Sequence, residues 1–217
     1  MDDPAGEEHC RQVALKKDKQ MKPLTLLPVL CAALMAPNAR AEETNAPALI
    51  VYTVPSMRIR AGQSGLPVIA ALWSDGRIVW SQSRTNGGPP YQQGRFAPEK
   101  LTSLLDKLER KNVFKNAAQF RPNFGVDAGY MTIVIAEGRR RLRLDSWHEF
   151  FERNTNLVAT AGGITTLQGA RREDMLREQP EPYRRLRNTW SEIRQAVEAL
   201  IPKTGEPYEG TIPIPAK

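Results

Sequence analysis

Val68-Ile69-Ala70-Ala71-Leu72-Trp73-Ser74-Asp75-Gly76-Arg77-Ile78-Val79-Trp80 reads as a β-hairpin. Two β-prone apolar runs flank an Asp-Gly pair, and this pair tolerates the positive φ that a two-residue hairpin turn demands. Upstream, Leu49-Ile50-Val51-Tyr52-Thr53-Val54 is β-rich and stops at Pro55, so it reads as a strand. Arg58 and Arg60 alternate with apolar residues and extend that strand past a bulge, before a turn over 61–65. Downstream, a second hairpin runs over 130–135 and 139–145 about a turn at Glu137-Gly138. In its return strand Leu142 and Leu144 alternate with Arg141 and Arg143, which assigns one face to the core and the other to water.

Helical spacing appears between and after the hairpins. Pro98 opens a helix at its first turn, where a missing N–H costs nothing, and Leu101, Leu104, Leu105 and Leu108 form its stripe to about residue 112. Short helices are expected over 147–153 and 170–179, the latter stopped by Pro180 and Pro182. The last helix runs over 183–201, with Tyr183, Leu186, Trp190, Ile193, Val197 and Leu200 stepping by three or four. Residues 84–95 and 154–169 read as loops, and residues 203–217, with three prolines, as a loose tail. Hairpin plus helix occurs twice, a pattern too common to require duplication. These elements predict an α+β fold, an antiparallel sheet built from two hairpins plus an N-terminal strand, with helices packed on one face. A single domain is expected over 42–202.

The chain carries an export address. Met21-Lys22 precedes an apolar run over 24–35, and Ala39-Arg40-Ala41 places small residues where a signal peptidase reads. Twelve apolar residues are too few to span a bilayer, which takes about 20. Leu30 stands before Cys31 where a lipoprotein signal needs a small residue, so cleavage and release are expected. Residues 1–20, polar and aperiodic ahead of a complete signal, read as an extension upstream of the true start at Met21. The expected destination is the periplasm or the medium. Both cysteines, Cys10 and Cys31, precede residue 42, so the exported chain has no disulfide to staple it. Its 176 residues are enough to bury a self-sufficient core.

Lys and Arg number 31 and Asp and Glu 24, of which residues 1–41 hold six and five. The exported part keeps 25 basic against 19 acidic side chains, and 19 of the 25 are arginine. That balance suits anionic partners, an acidic envelope polymer or protein, with no nucleic acid expected. Arg58, Arg60, Arg77, Arg141 and Arg143 are the candidate ligand-binding residues on the sheet's wet face, because guanidinium forks bind carboxylate or phosphate bidentately. Arg84 and Tyr91 mark a second candidate surface in the proline-stiffened loop around Gly88-Pro89-Pro90.

Enzymatic signatures are sparse. His148 is the one histidine after residue 41, within Asp145-Ser146-Trp147-His148-Glu149-Phe150-Phe151-Glu152. On a helix Asp145, His148, Glu149 and Glu152 would share a face, the basis of an alternative reading as a metal-dependent or hydrolytic enzyme. This is not a zinc-protease spacing, and zinc sites draw on more than one His or Cys. Asp145 or Ser146 capping a helix with Glu149 explains the same residues. Ser64 lacks a nucleophile elbow, and the prolines beside Gly87, Gly88 and Gly94 remove the donors a phosphate loop needs. No cofactor is expected, and the leading expectation is a non-enzymatic binding or inhibitory domain.

Overall fold

The computed structural model describes residues 46–55, 65–116, 124 and 129–214. The expected extension over 1–20, the signal over 21–41, and Arg58 and Arg60 lie outside the described residues. Every described residue falls within the compact unit Asn38–Lys217.

The fold is α+β, built on a seven-stranded antiparallel sheet. Its strands are β1 (Leu49–Val54), β2 (Val68–Leu72), β3 (Arg77–Ser81), β4 (Tyr91–Arg95), β5 (Tyr130–Glu137), β6 (Arg140–Trp147) and β9 (Glu206–Tyr208). Their order is β6-β5-β1-β2-β3-β4-β9, with every neighbouring pair antiparallel. Strands β7 (Leu157–Thr160) and β8 (Gly163–Thr166) form a separate two-stranded ribbon. The helices are α1 (Pro98–Arg110), α2 (Val113–Asn116), α3 (Glu149–Arg153), α4 (Arg172–Arg177) and α5 (Glu181–Leu200).

Both hairpins form where the turn glycines place them, Gly76 at φ +84° and Gly138 at φ +53°. The leucine stripe of α1 and the stripe of α5 from Tyr183 to Leu200 join one core with Leu49, Val51, Leu72, Ile78, Trp80, Met131, Ile133, Leu142 and Leu144. Each fully buried Leu or Ile there contributes about 1.5–3 kcal/mol of transfer free energy. Lys107 and Lys111 of α1 both reach Glu192 of α5, at 2.8 and 2.7 Å.

Three expectations change. The sheet has two strands over residues expected to be loop and tail. Tyr91–Arg95 is β4, and Glu206–Tyr208 pairs with it as β9 rather than hanging loose. Residues expected to be loop over 154–169 contain the β7–β8 ribbon.

The third change concerns the face expected to be wet. Ile50, Tyr52, Val54, Val68, Ala71, Trp73 and Val79 form a second buried apolar cluster there, with Tyr208, Ile212 and Ile214 of the C-terminal segment packed on it. All six residues of β1 and all five of β2 are buried. Their unbroken apolar runs are what two-sided burial requires. Among the described strands, alternation survives over residues 141–146 of β6, at the sheet's margin.

Candidate functional site

A register row crosses the second face from edge to edge, Arg143–Val134–Ile50–Ala71–Val79–Gln93–Glu206. Arg143 and Val79 are four strand steps of about 4.8 Å apart, roughly 19 Å. Arg77 lies two residues beyond Val79 on β3, with Val134, Ile50 and Ala71 between it and β6. The arginines therefore do not form the continuous patch that alternation suggested. Apolar side chains divide them into two groups.

At the β6 margin Arg143 is committed internally. Its guanidinium meets Asp145 at 3.0 Å and its Nη1 donates to the Tyr52 hydroxyl at 3.1 Å. Asp145 also accepts from Thr132 Oγ1 at 2.7 Å. Burial alone would lower the pKa of Arg143, but these bonds and the Asp145 charge outweigh it and hold the guanidinium above its usual range. Arg141, opposite Ala136 at the same margin, is exposed.

On β3 the arrangement is more open. Arg77 places its guanidinium 4.9 Å from the centre of the Trp73 ring and bonds Asp75 through Nε at 2.7 Å. Arg95 stands directly opposite on β4 and donates from Nη1 to the Asp75 carbonyl at 3.3 Å. Slight burial would raise the Asp75 carboxyl, but hydrogen bonds from Arg77 and the charges of Arg77 and Arg95 hold it below its usual range. Both guanidiniums thus bond Asp75, Arg77 at its carboxylate and Arg95 at its backbone carbonyl. Beside them a cleft of about 280 Å³ opens, walled by Trp73, Arg77, Val79 and Gln93 on the sheet and by Tyr208, Thr211 and Pro213 on the C-terminal segment.

Tyr91 stands apart from that cleft. Its phenol oxygen accepts the Val68 N–H at 3.3 Å, and burial pushes its pKa up. It is a structural strut between β4 and β2 in this role. The loop over 82–90 is likewise tied down, with Gly88 N–H donating to the Val68 carbonyl at 3.0 Å and Thr53 Oγ1 to the Asn86 carbonyl at 2.8 Å.

Arg84 in that loop belongs to a cluster the sequence reading did not assemble. Arg194 of α5 has a side chain 9% exposed and forms a fork on Glu149, Nε to Oε1 at 2.6 Å and Nη2 to Oε2 at 3.3 Å. The same Nη2 donates to the Arg84 carbonyl at 3.2 Å. Arg153 of α3 joins Glu149 at 3.4 Å and Thr85 Oγ1 at 2.9 Å. The one available signal for Arg194 was its position, four residues after Trp190 and three before Val197, on the buried stripe of α5.

Of the residues of the enzymatic alternative, Asp145, His148 and Glu149 each have a partner elsewhere. Asp145 lies in β6 rather than in a helix and faces Arg143, while Glu149 points to Arg194. His148 is the N-cap of α3, its Nδ1 accepting the Phe150 N–H at 3.1 Å, so neither Asp145 nor Ser146 caps that helix. Among the described residues no group of three or more His, Cys, Asp or Glu side chains is placed to hold a metal ion. Nor, among them, is any helix long and apolar enough to cross a membrane.

No protein family, characterised protein or solved structure matches this chain.

Proposed function

We propose that this chain is an exported, non-enzymatic binding domain that recognises an anionic envelope component, an acidic polymer or the acidic surface of a protein. Export rests on the signal pattern at 21–41, and the anionic preference rests on the excess of arginine after residue 41. The observation that carries the reading is the cleft on the second sheet face. Arg77 bonds the Asp75 carboxylate and Arg95, opposite it, bonds the Asp75 backbone carbonyl, so two guanidiniums face one carboxylate charge and leave a unit of positive charge beside the aromatic and apolar wall of Trp73, Tyr208 and Pro213. An aromatic wall beside a guanidinium suits a ligand that presents a flat apolar surface and a negative group together.

Retention on immobilised heparin, an acidic glycan, tests the proposal. The mature chain is expected to elute late in a salt gradient, and Arg77→Ala with Arg95→Ala to move elution to clearly lower salt. Arg143→Ala, which removes a guanidinium already engaged by Asp145, is expected to move it little. Weak retention of the wild type, or equal loss in both variants, would overturn the assignment to this cleft.

A further inference from the structure

The cluster around Arg194 holds two polar atoms that the fold itself does not satisfy. Nη1 of Arg84 and Nη1 of Arg194 are both buried, and neither makes a hydrogen bond among the described residues. The nearest acid to the latter is Glu198 Oε2, at 3.6 Å, an ion pair beyond hydrogen-bond reach, from a side chain that is half exposed. A buried guanidinium donor without a partner is costly, about 1–3 kcal/mol or more, and native folds rarely keep one without a reason. Here the two residues that carry such donors are already joined, since Arg194 Nη2 holds the backbone carbonyl of Arg84.

Rigidity sets the two apart from surface arginines. Arg194 is locked by its fork on Glu149, and Arg84 leans toward Trp80 with its guanidinium 5.9 Å from the ring centre. Burial lowers the pKa of Arg84, the neighbouring charge of Arg194 acts in the same direction, and Glu198 opposes both. The environment thus disfavours an uncompensated cation, and an added negative charge would relieve it. At the cluster's edge Arg153 is 64% exposed and Glu198 half exposed.

We infer that Arg84 and Arg194 form a binding site for a singly charged oxyanion, a carboxylate or a phosphodiester group, received by their two Nη1 donors. The charge count sets the valence. Arg84, Arg153 and Arg194 face Glu149 and Glu198, which leaves one positive charge for the ligand to balance. Glu198 is the built-in competitor, lying at the site without completing it. The site is independent of the cleft at Arg77 and stands or falls separately from it.

Thermal unfolding in rising acetate and in rising dimethyl phosphate, each against chloride at matched ionic strength, tests the inference. Both probes carry one negative charge and differ in shape, so they separate the two sources of the anion. At least one is expected to raise Tm in a saturating manner. Arg84→Gln, at a partly exposed loop position that leaves the Arg194–Glu149 fork intact, is expected to weaken that probe about tenfold or more. Glu198→Gln removes the competitor and is expected to tighten it severalfold, while Arg77→Ala leaves it unchanged. No saturable shift with either probe would overturn the site. So would a shift that survives Arg84→Gln, or one that Glu198→Gln fails to strengthen.

Discussion

Arg194 and Glu149, 45 positions apart, are joined by a two-pronged ion pair whose shorter contact is 2.6 Å, and this pair fastens α5 to the start of α3. Both side chains are largely buried, 9% and 15% exposed, so each has lost most of its hydration. The pair is a place where one deletion and two deletions behave differently. Arg194→Ala strands the Glu149 carboxylate with only the exposed Arg153 and is expected to cost about 3–5 kcal/mol. Arg194→Met combined with Glu149→Leu removes both charges, keeps apolar volume, and is expected to cost far less than the single change. Urea unfolding of the three proteins decides it, and a double variant as unstable as the single one would remove the desolvation argument.

His148 gives the fold a titration that can be assigned. Burial lowers its pKa, the Arg153 charge acts in the same direction, and Glu149 opposes them. The geometry agrees, since only a neutral imidazole leaves Nδ1 a lone pair to accept the Phe150 N–H. With the folded value below the unfolded value of about 6.5, the unfolded chain binds more protons in between. This contribution is fully present above about pH 6.5 and is lost as pH falls through the folded value. His148→Asn keeps an N-cap acceptor without the titration. Between about pH 7.5 and about pH 5 the wild type is therefore expected to lose more stability than His148→Asn, read as the shift in urea midpoint. Equal losses would assign the acid sensitivity elsewhere.

A contrasting arginine sits at the tip of the β5–β6 hairpin. Arg140 Nη2 reaches Asp106 and Glu109 of α1, both at 2.6 Å, and its Nη1 lies 3.5 Å from Glu137. Its acidic partners are far more exposed than Glu149, so water replaces much of what a deletion removes. Arg140→Ala is expected to cost about 1 kcal/mol, and the loss is expected to shrink in high salt, as the exposed parts of the network are screened. Salt-independent destabilisation of several kcal/mol would show that Arg140 acts by packing instead.

Legibility followed local signals. The strands β1, β2, β3, β5 and β6 and the helices α1 and α5 were readable because turn glycines and apolar spacing agree there. The uninterrupted runs over 49–54 and 68–73 also encoded burial on two faces, a message overridden by the clean alternation at Arg141 and Arg143. β4 gave no periodic signal, because Gly94 lies beneath Trp80 where a larger side chain would be tight. β9 was hidden by Pro207, which is tolerated because the strand is an edge. Arg84 was visible as a loop arginine. Its partner Arg194 was marked only by its place on a buried helical stripe, and nothing named Glu149 as its counter-ion until α3 is placed opposite it.

The junction between α5 and β9 turns on Gly205, and its lack of a side chain is a packing requirement rather than a turn requirement. A Cβ there would lie 2.6 Å from Trp80 Cζ2 and 2.7 Å from the Gln93 carbonyl oxygen, and would also crowd Trp80 Cη2. The carbonyl belongs to β4, the strand that β9 pairs with, so relief by backbone movement would loosen the β4–β9 ladder. Gly205→Ala is expected to cost about 1–3 kcal/mol. Trp80→Leu removes the ring but not the carbonyl clash, so the double variant is expected to cost less than the sum of the two singles while retaining part of the Gly205→Ala penalty. Strict additivity in chemical unfolding would mean that the C-terminal segment does not lie against Trp80 in solution, and the wall that Tyr208 and Pro213 lend to the cleft would go with it.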